Sequence, residues 1–394
     1  MDLDAVKQRL CAEVDQRAEL LLDVSHRIHA HPELCFEEHE AHDLLTDVLA
    51  GEGLDVERGA CGLPTAFTAR SGATGPTVAV VCEYDALPGI GHACGHNVIA
   101  AAGLGAGLAA AALADEVGGR VLVLGTPAEE GGGGKVPMID AGALDGVDAA
   151  LMVHPGPQDV RGFQVLANQQ VVATYRGRAA HAAAAPHEGR NALDAAVLGY
   201  VNVAALRQHL RPDERLHGVF TDGGDKPNIV PARAEAHWYV RAGTRQRMED
   251  LKQRLLACLQ AGADAAGCTM ELAWPSPAYD DLRDSEPLLD RYAANAAALG
   301  REVAPVTPAT TAMASTDMGN VSYVVPSIHP IIAVSEPGVA IHTPAFADFA
   351  GGPGGDAAVL DGAKAMAMTV ADVWLDDDVR DQVRVAFERQ GSGS

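Results

Sequence analysis

The sequence predicts an α/β protein with two domains: one with a largely parallel sheet flanked by helices, the other an inserted α+β unit. Three observations predict it. The chain has 394 residues, more than one ordinary domain holds. Up to residue 154, short and fully apolar runs alternate with helical segments, as they do when a parallel sheet is covered on both faces. Near residue 165 the order becomes β-α-β-β-α-β, one sheet and two helices able to bury a core of their own.

In order, residues 4–29 carry Val6, Leu10, Val14, Leu20, Leu21, Val24 and Ile28 at helical spacing, which predicts an amphipathic helix. Buried strands are predicted at 77–82 (TVAVVC), 120–125 (RVLVLG) and 149–153, with helices at 96–114 and 136–141. The inserted unit, residues 168–277, has strands at 165–176, 216–222, 233–241 and 268–274 around helices at 190–210 and 245–265. Pro275-Ser276-Pro277 marks the return to the first domain, residues 1–167 and 278–394, with helices at 286–299 and 356–377. The closing Gly391-Ser392-Gly393-Ser394 resembles a linker and is set aside.

Composition excludes several classes. Acidic side chains number 53 against 29 basic, a net charge of −24. That balance argues against nucleic acid and anionic membranes as partners, since phosphates need Lys and Arg to displace counterions. The most apolar stretch, 98–113, is shorter than the ~20 residues of a membrane span. Met1-Asp2-Leu3-Asp4 lacks the basic-then-apolar order of a signal peptide. The seven cysteines form no C-x-x-C pair, and reduced thiols in a cytoplasmic protein account for them.

Four clusters could carry chemistry. Cys82-Glu83-Tyr84-Asp85-Ala86-Leu87-Pro88 leads into Gly91-His92-Ala93-Cys94-Gly95-His96-Asn97, where Cys94 and His96 face one point as a loop enters a helix. Thiolate and imidazole both bind Zn²⁺ and similar ions. Glu129 and Glu130 follow the predicted strand 120–125, at the edge where ligands bind a parallel sheet. His154 follows another strand, and His342 stands in Ile341-His342-Thr343-Pro344. Each alone is ordinarily structural; four signals of metal-ligand type at strand ends point to a metal site. Rival motifs fail: Gly131–Lys135 lacks the Ser/Thr of a phosphate loop, Gly103–Gly107 reads as close helix packing, and no G-x-S-x-G elbow occurs.

The order of these motifs resembles the metallopeptidase family of aminoacylases and carboxypeptidase G. The Cys-Gly-His form is similar to its amidohydrolase branch, and the Glu-Tyr-Asp-Ala-Leu-Pro run with 315–330 (STDMGNVSYVVPSIHP) looks closest to p-aminobenzoyl-glutamate hydrolases and β-alanyl-lysine dipeptidases. The resemblance extends from His31-Pro32-Glu33 to about residue 377. It implies a metal-dependent hydrolase of amide bonds in N-acyl amino acids or dipeptide-like substrates, acting through a metal-activated water. Two divalent ions per subunit, Zn²⁺ or Mn²⁺ or Co²⁺, would be held by Cys94, His96, Glu130, His154 and His342. Glu129 would be the general base and Asp85 an orienter behind the ligands. Residues 168–277 would form a lid and dimerisation domain. There His181 would steady the oxyanion in a partner's site, and Asn228 and Arg241 would hold the substrate carboxylate.

Two departures bear on substrate choice. His187 stands where near relatives often carry Trp, and Thr-Pro-Ala follows His342 where a Glu commonly follows the Pro. Three alternatives stay open at this point: a non-catalytic binding protein of the same fold, a hydrolase of carbamoyl or carbamate substrates, and a thiol hydrolase built on Cys94.

Overall fold

In the computed structural model the described residues are 2–307 and 314–392. They divide into two compact units, Met1–Gln164 with Leu282–Ser394, and Val165–Asp281. The first unit opens with α1 (Leu3–Gln16), α2 (Ala18–Ala30), α3 (His39–Gly51), β1 (Asp55–Arg58), β2 (Phe67–Ser71), β3 (Thr77–Glu83), α4 (His96–Val117), β4 (Arg120–Thr126), α5 (Lys135–Asp140), β5 (Ala149–Leu151) and β6 (His154–Gly156). The second unit holds β7 (Ala167–Arg176), α6 (Ala192–Arg207), β8 (Arg215–Asp222), β9 (Arg233–Ala242), α7 (Arg245–Ala265) and β10 (Thr269–Ala273). The chain returns with α8 (Glu286–Ala298), α9 (Met318–Ser322), β11 (Ser327–Ile328), β12 (Ile331–Ala333), α10 (Pro344–Ala350), α11 (Pro353–Leu375) and α12 (Asp377–Ser392).

The main sheet of the first unit has the order β1-β2-β4-β3-β5-β11. Its centre is parallel (β4 with β3, β3 with β5, β5 with β11), and β2 and β1 add an antiparallel edge. Every residue of β3 is buried, which is why it reads as one apolar run ending in Glu83. Helix α4 packs against this sheet. A Cβ on Gly103 would meet the Val81 carbonyl at 2.6 Å, and one on Gly105 would meet Leu21 at 2.7 Å. The glycines of Gly103–Gly107 thus let strand and helix approach closely.

Several expectations are corrected. The single helix predicted over 4–29 is two, broken at Arg17, whose φ of −103° and ψ of 9° leave the helical range. The apolar stretch at 98–113 belongs to a 22-residue helix that is long and apolar enough to cross a membrane. It is instead buried in the core of the first unit. The closing Gly391 and Ser392, set aside as linker, belong to α12.

The second unit reproduces β-α-β-β-α-β in one antiparallel sheet of order β10-β7-β9-β8. Alternate residues of β7 and β9 are buried, and Val171, Tyr175 and Trp238 join Leu251, Leu255 and Leu259 of α7 in a core of their own. Each fully buried Leu contributes roughly 2 kcal/mol. The unit extends to Val165 and Asp281 rather than 168 and 277. Asn168 and Tyr279 exchange backbone hydrogen bonds of 2.8 and 2.9 Å, and the Arg245 N–H donates to Asp281, which draws 278–281 into it. On the side of the second unit where Phe220 of edge strand β8 packs beside Tyr200 of α6, Phe220 and the α6 residues Val197 and Val201, one turn apart, are exposed apolar side chains.

Candidate metal centre

Because β4, β3 and β5 run parallel side by side, their C-terminal ends lie along one sheet edge. Glu83 closes β3 opposite Thr126 at the end of β4, and Glu129 and Glu130 follow in the next loop. His154 opens β6, just past β5. The loop leaving β3 supplies Cys94 and turns into α4 at His96. Gly95 makes this turn at φ +80°, and a Cβ there would meet Pro155 Cγ at 2.7 Å. Only glycine lets the Cys94–His96 loop close on the residue after His154. His342, also in the left-handed region at φ 61°, donates its N–H to the Ala93 carbonyl at 2.8 Å.

All five predicted ligands and the predicted base converge there. Cys94 Sγ lies 3.4 Å from His154 Nε2, and His342 Nε2 lies 3.2 Å from Glu130 Oε1. His96 Nε2 is 3.9 Å from Glu130 Oε1 and 4.0 Å from Glu129 Oε2. Within 4.8 Å of one another stand the ligand atoms of Cys94, His96 and His154, and likewise those of Cys94, Glu130 and His342. Cys94 belongs to both sets, so the two adjoin. Exposure rises across them, from buried Cys94 and His96 to half-buried His154 and Glu130 and exposed His342.

The hydrogen bonds behind these groups aim them. Asp85 Oδ1 lies 3.0 Å from His96 Nδ1, and Asp85 Oδ2 accepts the Glu130 N–H at 3.0 Å. His154 Nδ1 donates to the Pro155 carbonyl at 2.7 Å. Both imidazoles thereby turn Nε2 towards the neighbouring ligand groups, His154 Nε2 facing Cys94 Sγ, where its lone pair could serve an ion. The residues fit a cation on a second ground. Among the described residues His96 Nε2 and Glu83 Oε2 are buried without a hydrogen-bond partner, 3.7 Å apart, a state that costs about 1–3 kcal/mol per group unless something binds there.

The field favours positive charge at this point. Burial opposes charge on His96, yet Cys94 and Asp85 outweigh it and hold the imidazole well above the usual histidine range. His154 is pushed down to about 4 by burial and by His96. The two adjacent carboxylates separate. Burial, then Glu83 and Glu130, pushes Glu129 well up; for Glu130, burial is outweighed by the His342 hydrogen bond and by His96, and it stays below the usual range. Environments that drive neighbouring carboxylates apart suit one to bind charge and the other to carry a proton. Burial also pushes the Cys94 thiol up, which argues against a thiol nucleophile there, since attack needs the thiolate.

The profile of peptidase family M20/M25/M40 matches residues 79–371. The chain belongs to this family. A mouse Xaa-Arg dipeptidase is 39% identical over 98% of this chain and 93% of its own length, and the human one 37% over the same shares. A p-aminobenzoyl-glutamate hydrolase chain of Escherichia coli is 35% identical over 63% of this chain and 56% of its own. Among solved structures, a dinuclear metal-binding M20 peptidase of Bacillus subtilis superposes with a TM-score of 0.69 at 20% identity, covering 91% of this chain and 99% of that one. As an M20-family protein the chain is a hydrolase of peptide or amide C–N bonds.

The remaining residues singled out in this M20 sequence lie in the second unit. His181 is exposed, and its Nδ1 accepts the N–H groups of Ala183 and Ala184 at 3.2 and 3.1 Å. Asn228 is also exposed, its carbonyl accepting the Ala182 N–H at 3.0 Å. Arg241 is half-buried 5.6 Å over the Tyr239 ring; its Nε finds no partner among the described residues. Sequence reasoning missed a buried triad beside the centre. Lys135 Nζ bonds Asp317 Oδ1 at 2.7 Å and also bonds Glu83. The signal was present, since Glu83 is a charged end to an apolar strand, but its partners are distant in sequence.

Proposed function

We propose that this M20 protein is a two-ion dipeptidase whose preferred substrates are small dipeptides with a free carboxylate and a basic C-terminal residue. The observation that carries the proposal is the convergence of Cys94, His96, Glu130, His154 and His342 with Glu129 on one sheet edge. The basic residue rests on the Xaa-Arg dipeptidases that match nearly the whole chain, and a net charge of −24 favours the approach of a cationic substrate.

Two divalent ions held by the five ligands would supply Lewis acidity and a water acidic near neutral pH. Glu129 takes the proton from the attacking water and delivers it to the leaving amine. Asp85 keeps His96 and the Glu130 backbone in place through both steps. With Nδ1 accepting two backbone N–H groups, His181 carries a proton on Nε2, from which it can donate to a developing oxyanion. Asn228 and the guanidinium of Arg241 receive the substrate carboxylate. Cys94 favours Zn²⁺, while the carboxylate and imidazole side accepts Mn²⁺ or Co²⁺.

The exposed Val197, Val201 and Phe220 on α6 and β8 support the reading of the second unit as the dimerisation domain, pairing two copies of the chain. All seven cysteines are free thiols, in keeping with a reducing cytoplasm. The test is hydrolysis of a panel by chelated enzyme reloaded with Zn²⁺, Mn²⁺ or Co²⁺. The panel holds dipeptides ending in Arg, Lys, Ala or Glu, p-aminobenzoyl-glutamate, N-acetyl amino acids and an N-carbamoyl amino acid. Metal-restored cleavage that favours the Arg and Lys dipeptides supports the proposal; cleavage confined to another group overturns its substrate.

A further inference from the structure

Outside the ligand set, one buried carboxylate reaches the loop that carries Glu129 and Glu130. Glu38 is fully buried between the loop of residues 33–38 and the end of β4. Its Oε1 accepts two backbone N–H groups, from Phe36 at 2.9 Å and from Ala128 at 2.8 Å. Its Oε2 accepts the Thr65 hydroxyl at 2.8 Å. Phe36 and Ala128 are both non-glycine residues at φ 61°. L-residues adopt the left-handed region at a steric cost and stay there only where the surroundings hold them. One oxygen therefore pins two strained residues, and the second of them immediately precedes Glu129.

The same two loops touch at further points. Cys35 Sγ lies 3.4 Å from Asp85 Oδ2, and a Cβ on Gly131 would stand 3.6 Å from that sulfur. The Phe36 ring covers Gly132 so closely that a Cβ there would sit 2.3 Å from it. Ala128 in turn starts the turn that follows, its carbonyl accepting the N–H groups of Gly132 and Gly133 at 2.9 and 2.8 Å.

We infer that Glu38 is a positioning residue for the metal centre: by holding Phe36 and Ala128 in the left-handed conformation it fixes the direction in which Glu130 and Glu129 leave the sheet edge. The inference rests on the proposed metal-binding role of Glu130. Two conservative variants separate reach from charge. Glu38→Asp keeps the carboxylate but falls one methylene short of the two N–H groups. Glu38→Gln keeps the length and an acceptor oxygen, and its amide can donate to the Thr65 hydroxyl.

The experiment is chelator competition for Co²⁺ on the full chain, with the visible absorption spectrum of the bound ion and a thermal melt on the same samples. Groups behind metal ligands are typically worth 10–100-fold in affinity. The expected result is a folded Glu38→Asp whose Co²⁺ affinity falls about 10-fold or more with an altered spectrum, and a Glu38→Gln within about 3-fold of the parent. Parent affinity and spectrum in Glu38→Asp, or equal losses in both variants, would overturn the inference. Because the readout is the ion's affinity and spectrum, it stands whether or not any dipeptide is cleaved. Should the parent chain itself bind no Co²⁺, the metal-site proposal falls and this inference with it.

Discussion

Glu129 and Glu130 are adjacent in sequence but stand in opposite environments. Glu130 lies 3.2 Å from His342 Nε2, and the neighbouring imidazoles hold it below the usual range against burial, whereas burial and then Glu83 and Glu130 push Glu129 up. Replacing Glu129 by Gln should therefore leave both ions bound and lower turnover at least ~10²-fold, measured as kcat beside metal content. Glu38 makes a prediction of a different kind. Burial first, then Asp85, pushes its carboxyl up to about 7 against an ordinary 4.5. Folding then takes up a proton between these values. The stability tied to this group is fully present below pH 4.5 and lost as pH rises through 7, by at most about 3 kcal/mol. Urea unfolding at pH 5 and pH 8 should show a smaller fall in Glu38→Gln than in the parent; an unchanged fall would remove Glu38 as its source. The five residues that converge were legible as single residues because each is of ligand type and stands at a predicted strand end or loop. Glu38 and Lys135 were not, since their partners Ala128 and Asp317 are 90 and 182 positions away.

At the scale of elements, the parallel strands bring the ligand groups to one edge, and the loops between them decide whether they meet. Gly95 is the narrowest point, with φ +80° and Pro155 behind it. Gly95→Ala should destabilise the fold by about 1–3 kcal/mol in a thermal melt and weaken metal binding, because the added methyl must push Cys94 away from His154. An unchanged melting temperature with full affinity would show that the loop yields freely. The buried strands β3 and β4 were readable as apolar runs, whereas α3, β1 and β2 were not. Strand β1 has no buried residue at all and is fixed by its pairing with β2, a long-range fact invisible to local periodicity. The break at Arg17 was hidden too, since apolar spacing continues across it.

For the whole molecule, the two-unit division was legible from the change in element order near residue 165, while its borders depended on the Asn168–Tyr279 pairing. The second unit has a core of its own, and Val201 of α6 and Phe220 of β8 are exposed apolar side chains on it. On the proposed pairing, Val201→Asp with Phe220→Asp should shift the chain from dimer to folded monomer by sedimentation velocity, with turnover reduced by loss of the proposed contribution of His181 to a partner's site. A variant that stays dimeric would place the interface elsewhere.

The measurement that bears most directly on the central claim is metal stoichiometry, read by elemental analysis of the chelated chain titrated with Zn²⁺, with dipeptide cleavage followed in the same samples. The account predicts two ions per chain, cleavage absent from the chelated protein and returning as the ions are restored, and a lower stoichiometry in His154→Ala. Cleavage that survives complete chelation, or full activity with no ion bound, would contradict it.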